Sequence, residues 1–222
     1  MTIRRRLVLL TAISGIGGLL FAPFVSASAQ PRASVPSLLN LALILGMGSA
    51  AVAALCSWMG LRWSDRADLP MPWLRAWELK SPTPPGALRR MLAPAMVGGV
   101  AAGILVAIVV RTLPMPANPG SLAVRLLTVF FAATVTEIVV HLFAMSGLVL
   151  LFRKQWTAIL LSSTLFVLIF HSGQVGGALT TSVVLLANFI FGTLTGWMYA
   201  RYGFECAILT HAVAHVIALG WN

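Results

Sequence analysis

Residues 134–152 read TVTEIVVHLFAMSGLVLLF, an apolar run interrupted by one carboxylate, Glu137, and one imidazole, His141. Four residues apart on a helix, the two side chains share one face, one turn apart. Neither belongs in hydrocarbon, where an unpaired ionisable group costs on the order of several kcal/mol. The remaining histidines, His171, His211 and His215, also fall in or at the ends of apolar segments. The chain therefore reads as an integral membrane protein that gathers one Glu and several His within the bilayer.

Composition supports this. The 222 residues are 59% hydrophobic and 9% charged, against about 25% charged in a soluble domain. The net charge of +10 does not point to nucleic acid, because the basic residues flank apolar runs without forming a continuous basic face. Orientation in the membrane and contact with anionic lipid account for them. Cys56 and Cys206 lie inside apolar stretches without metal-type spacing and read as packing residues.

From the N-terminus, Arg4-Arg5-Arg6 precede an apolar run over 7–25, and Ala27 and Ala29 form an A-x-A pattern. Residues 1–30 are thus a membrane anchor or a signal-like segment. Residues 31–222 form the transmembrane domain, with spans expected near 37–61, 91–110, 121–152, 156–171, 179–199 and 205–221. The fold class is all-α, a polytopic helical bundle of about seven spans. Residues 62–90, rich in Trp and Pro, read as an interfacial loop with tryptophans at headgroup depth. Gly192 and Gly196 have GxxxG spacing, which ordinary helix packing explains. With the N-terminus in the cytoplasm, all basic residues except Arg32, Arg111 and Arg125 fall on the cytoplasmic side. The C-terminus then faces outward, as expected in a bacterial inner membrane.

Five side chains carry the chemistry. Glu137 and His141 share a face, His171 ends the fifth span, and His211 and His215 share a face of the last. The HxxxH spacing suits a metal, so His171, His211 and His215 are candidate zinc ligands. With Glu137 they also draw a hydrolytic site, in which a carboxylate polarises water and imidazoles hold water or an oxyanion.

The order of three blocks resembles the CPBP family, the CAAX-protease and bacteriocin-processing group of intramembrane endopeptidases. The segment GTLTGWMYARYGFECAILTHAVAHVIAL (192–219) is similar to that family's last block, with His215 where the family has Asn or Asp. TEIVVH is similar to its EExxxR motif, with Thr136-Glu137 in place of the Glu pair and His141 in place of Arg. The fifth span resembles its FxxxH motif, keeping His171 and placing Val167 at the Phe position. The resemblance covers about 130–219, within a core of about 121–222. It implies a metalloprotease-like or glutamate-dependent hydrolase acting on a membrane-associated peptide or protein, with Glu137, His141, His171, His211 and His215 at the site. In the family the first Glu of the pair activates water, and here that position is Thr136. Glu137 sits about 100° further round, so it takes over only if the helix rotates or unwinds. Other readings are a non-catalytic relative that binds peptides or partners, and a His/Glu metal-binding or proton-relay protein. A site requires Glu137, His171 and His211 to converge within ~3–6 Å of one point.

Overall fold

The computed structural model of the chain describes residues 3–28, 38–82, 86–111, 122–170 and 178–219. The described residues are nearly all helical: α1 Arg4–Ser28, α2 Leu38–Arg66, α3 Pro72–Leu79, α4 Ala87–Val110 and α5 Leu122–Glu137 come first. A π-helical segment, Ile138–Met145, follows without a break, then α6 Ser146–Phe152, α7 Gln155–Phe170, α8 Ala178–Tyr202 and α9 Phe204–Leu219. Among the described residues, four stretches are long and apolar enough to cross a membrane: Leu39–Arg66, Ala87–Val109, Val129–Phe152 and Thr181–Tyr202. The all-α membrane architecture stands, and the described residues account for four of the roughly seven expected spans by length and composition. At 16 residues each, α7 and α9 extend only ~24 Å at 1.5 Å per residue, less than a ~30 Å hydrocarbon core.

Large apolar side chains point outward along the spans. Met47 is 71% exposed, and Val97 and Leu151 are each 72% exposed. Such an outer face suits lipid, so the bundle has apolar residues both inside and out.

Small residues set the packing. Gly15 and Gly18 of α1 meet Ala50 and Leu45 of α2, so these two helices run antiparallel. Gly99 and Gly103 of α4 meet Val213 and Ile217 of α9, and that pair runs parallel. One buried cluster joins Leu61, Leu69, Met71, Ile138, Leu142 and Tyr199, and a second joins Val140, Phe166, Phe191 and Ala214. Cys56 and Cys206 are free and buried, as packing residues.

Residues 62–82 differ from the expected loop. Helix α2 continues to Arg66, and the short α3 tucks Leu74 and Ala76 inside while Trp73 and Trp77 stay exposed. Leu69 and Met71 join the main core. The Glu205 carboxylate accepts the backbone N–H groups of Trp73 (2.9 Å) and Leu74 (2.8 Å), which holds the start of α3 against α9. These N–H groups have no partner inside α3, so a carboxylate from another helix does the work of a cap. The turn joining α8 to α9 is made by Gly203 at φ +115°, a conformation open to glycine but strained for other residues.

At the same end, the buried Arg6 bonds both Asp65 oxygens (3.1 and 2.8 Å). Its Nε lies 2.8 Å from Glu78 Oε2. The second contact is close in distance but off-axis for a hydrogen bond, since neither Glu78 oxygen has a hydrogen-bond partner. Arg75 adds a bond to Asp65 at 3.1 Å. An N-terminal arginine expected to sit in the headgroups is thus drawn into the bundle, because two carboxylates on α2 and α3 await it.

Candidate functional site

The π-helical segment begins one residue after Glu137, so the helix widens where the sequence argument required unwinding. The Ser146 N–H reaches the carbonyl of His141, five residues back, which is the π pattern. Ser146 Oγ also donates to that carbonyl at 3.4 Å, and Tyr199 donates to Ser146 Oγ at 3.1 Å. A tyrosine from α8 is thereby tied to the end of the wide turn.

Two of the expected partners converge on Glu137. His141 Nδ1 lies 2.6 Å from Oε2, and His211 Nδ1 lies 2.7 Å from Oε1. All three side chains are buried: Glu137 and His141 are 1% exposed and His211 is 3% exposed. A carboxylate from α5 thus bridges an imidazole on its own helix and one on α9.

Hydrogen-bond roles place the protons. His141 Nε2 is 3.2 Å from the carbonyl of Gly192, which can only accept, so Nε2 carries a proton. One further proton lies between His141 Nδ1 and Glu137 Oε2, and the pair is net neutral whichever atom holds it. His211 donates from Nδ1 to Oε1, which leaves Nε2 as the basic atom of the neutral ring. The arrangement can therefore hold His211 in one tautomer and steady it when Nε2 takes a proton. His141, where the resembling family has Arg, supplies the second donor to the same carboxylate.

The glycine spacing on α8 is more than packing. The Gly192 carbonyl accepts from His141 Nε2, and a Cβ placed on Gly196 would lie 3.1 Å from that nitrogen. These two glycines form the seat of His141. Sequence reasoning passed over them because GxxxG is common between packed helices. Phe191 meets His211 edge-on at 4.8 Å, and Phe166 stands 6.3 Å away at 82°. With Val167 at the motif position, the neighbouring Phe166 supplies an aromatic wall. His215 stacks on His211, with ring centroids 4.9 Å apart and planes at 21°.

Thr136 is apart from this group. It lines a cavity of about 250 Å³ with Gly17, Gly18, Ser49 and Phe131. His171 lies outside the described residues; of the three residues expected to converge, Glu137 and His211 meet, and His141 joins them on the same carboxylate. The Nδ1 atoms of His141 and His211 address the carboxylate through protons, an arrangement drawn for hydrogen bonds. Among the described residues no group of three His, Cys, Asp or Glu is placed to hold a metal.

Residues 118–217 match the family described as Rce1-like, type II CAAX prenyl endopeptidase Rce1-like. The match takes in Glu137, His141, His171, His211 and His215, and it bears out the resemblance carried by the three sequence blocks. No match is found among curated proteins or among solved structures.

Proposed function

We propose, for a chain whose residues 118–217 match the Rce1-like type II CAAX prenyl endopeptidase family, that it is an intramembrane endopeptidase acting on a membrane-associated peptide or protein. The observation that carries this reading is the buried bridge from His141 through Glu137 to His211, built at the family's motif positions. Glu137 and His211 act as one proton-accepting unit. The carboxylate holds the imidazole, and His211 Nε2 is the end with a basic lone pair for a water molecule. His171 and His215 complete the site by holding water or the developing oxyanion. The bundle spans a bacterial inner membrane about seven times, with the N-terminus in the cytoplasm and the C-terminus outside.

Thr136 favours a second reading, a non-catalytic relative that binds membrane peptides. A threonine hydroxyl has no basicity near neutral pH, so at the family's water-activating position it does nothing for hydrolysis. The two readings separate in one peptidase assay on a membrane-embedded peptide. If Glu137 works through His211, the unaltered protein cleaves and Glu137→Gln lowers the rate by about 10²–10⁴-fold. If the chain is a binder, the unaltered protein is inert, and Thr136→Glu with His141→Arg raises cleavage. Cleavage that survives Glu137→Gln removes the peptidase mechanism offered here. A third reading has zinc on His171, His211 and His215. It requires an ion that co-purifies with the protein and is lost in His215→Ala.

A further inference from the structure

Two clefts at one edge of the bundle share the same arginine. The first, about 620 Å³, is lined by Gly86, Arg89, Arg90, Pro94 and Tyr202. The second, about 380 Å³, is lined by Pro72, Ala87, Arg90, Arg201 and Tyr202. Both volumes fall within the roughly 300–1,000 Å³ of small-molecule sites. Arg89, Arg90 and Arg201 are all exposed, so the three guanidiniums reach the surface of the two clefts.

The depth of these arginines identifies the ligand. Arg89 and Arg90 stand at the start of the span Ala87–Val109, and Arg201 stands at the end of the span Thr181–Tyr202. Three guanidiniums from two helices therefore lie at the level where hydrocarbon gives way to headgroups. Beyond Arg201 a third depression, about 340 Å³, is walled by Trp156 and Trp197. Indoles of this kind settle at the membrane interface. Guanidinium forks match phosphate oxygens two at a time, and basic pockets between membrane helices hold anionic headgroups.

We propose that Arg89, Arg90 and Arg201, with Tyr202 between the clefts, form a binding site for a phosphate ester, the headgroup of an anionic phospholipid. The site is separate from the Glu137 cluster and does not depend on whether that cluster hydrolyses anything. Its effect is to tie the start of α4 to the end of α8, the helix that seats His141.

The test uses the full chain purified in non-ionic detergent, with native mass spectrometry and melting temperature as readouts. Phosphatidylglycerol is titrated against phosphatidylcholine. The unaltered protein is expected to retain phosphatidylglycerol preferentially and to melt higher with it. Arg90→Gln/Arg201→Gln should bind it about tenfold more weakly, and each single variant by an intermediate amount. Arg62→Gln is the control for general surface charge, because Arg62 lies over Trp58 at 4.1 Å and lines none of the clefts. It should bind as the unaltered protein does. Inorganic phosphate that displaces the lipid, and raises the melting temperature by itself, assigns the site to the free anion. Lipid retained in its presence assigns the site to the headgroup with its chains. Equal retention of the two lipids, or equal retention by the unaltered protein and the double variant, overturns the proposal.

Discussion

Among the described residues, two clusters of oppositely charged or proton-sharing side chains stand out, and the two are built differently. At one end, Arg6 and Arg75 face Asp65 and Glu78, two fixed positive charges against two carboxylates on three elements. In the middle, one carboxylate faces two imidazoles. The first cluster pairs guanidiniums with carboxylates across three helices, so its balance belongs to the fold. The balance of the second depends on where protons sit between Glu137, His141 and His211. An imidazole can pass a proton on where a guanidinium cannot, so the second arrangement suits chemistry and the first a clamp.

The comparison breaks most directly at the clamp. Arg6→Met leaves the almost fully buried Glu78 side chain without its cation, and removing one member of a buried ion pair costs about 3–5 kcal/mol. Denaturant unfolding in detergent should show a loss of that size. A loss under about 1 kcal/mol, the range of exposed pairs, would mean that the cluster is not a clamp.

The next effect sharpens the other side. Gly196→Ala places a methyl 3.1 Å from His141 Nε2, so the ring must shift by a few tenths of an ångström. A 1 Å misplacement can cost about 10²-fold in rate, and on the peptidase reading proposed above a smaller shift here should cost about tenfold in kcat. Gly192→Ala keeps the accepting carbonyl and presses on the side chain of Phe166 (3.0 Å), so it should cost less. The imidazole NMR signals of His141 should move in the first variant and stay in the second. Equal effects of the two would reduce the seat to ordinary packing.

The smallest effect is the most telling contrast with Arg6. Glu137→Gln preserves shape and offers both a donor and an acceptor to the two imidazoles. Hydrogen bonds between membrane helices average about 0.6 kcal/mol and reach about 1.7 kcal/mol. Unfolding should therefore move by no more than that, although the carboxylate is fully buried. A loss as large as that of Arg6→Met would make Glu137 a structural residue first.

Much of this was legible in the sequence, and the legible part has one cause. Hydrocarbon penalises both open backbone and lone charges, so length and polarity alone mark the spans and make Glu137, His141 and His211 conspicuous. The fourfold spacing was enough to pair Glu137 with His141, because contacts one turn apart are local. What the chain could not announce was every contact between elements distant in sequence. The burial of Arg6 depends on carboxylates 59 and 72 positions away, and a run of arginines before an apolar helix reads the same whether it meets headgroups or Asp65. The packing of α3 depends on Glu205, which lies 131 residues beyond Leu74.

The sequence by itself determined an all-α membrane bundle and the identity of the polar residues inside it, since solvent transfer acts on each segment separately. Only the tertiary structure decided which side chain of the Thr136-Glu137 pair stands among the imidazoles. Thr136 and Glu137 are neighbours in the chain, and the widened π turn, held by Tyr199 and Ser146, brings Glu137 to His211 while Thr136 lines the cavity beside α1. That choice rests on helix rotation, which is set by what packs around the helix and is written in no one segment.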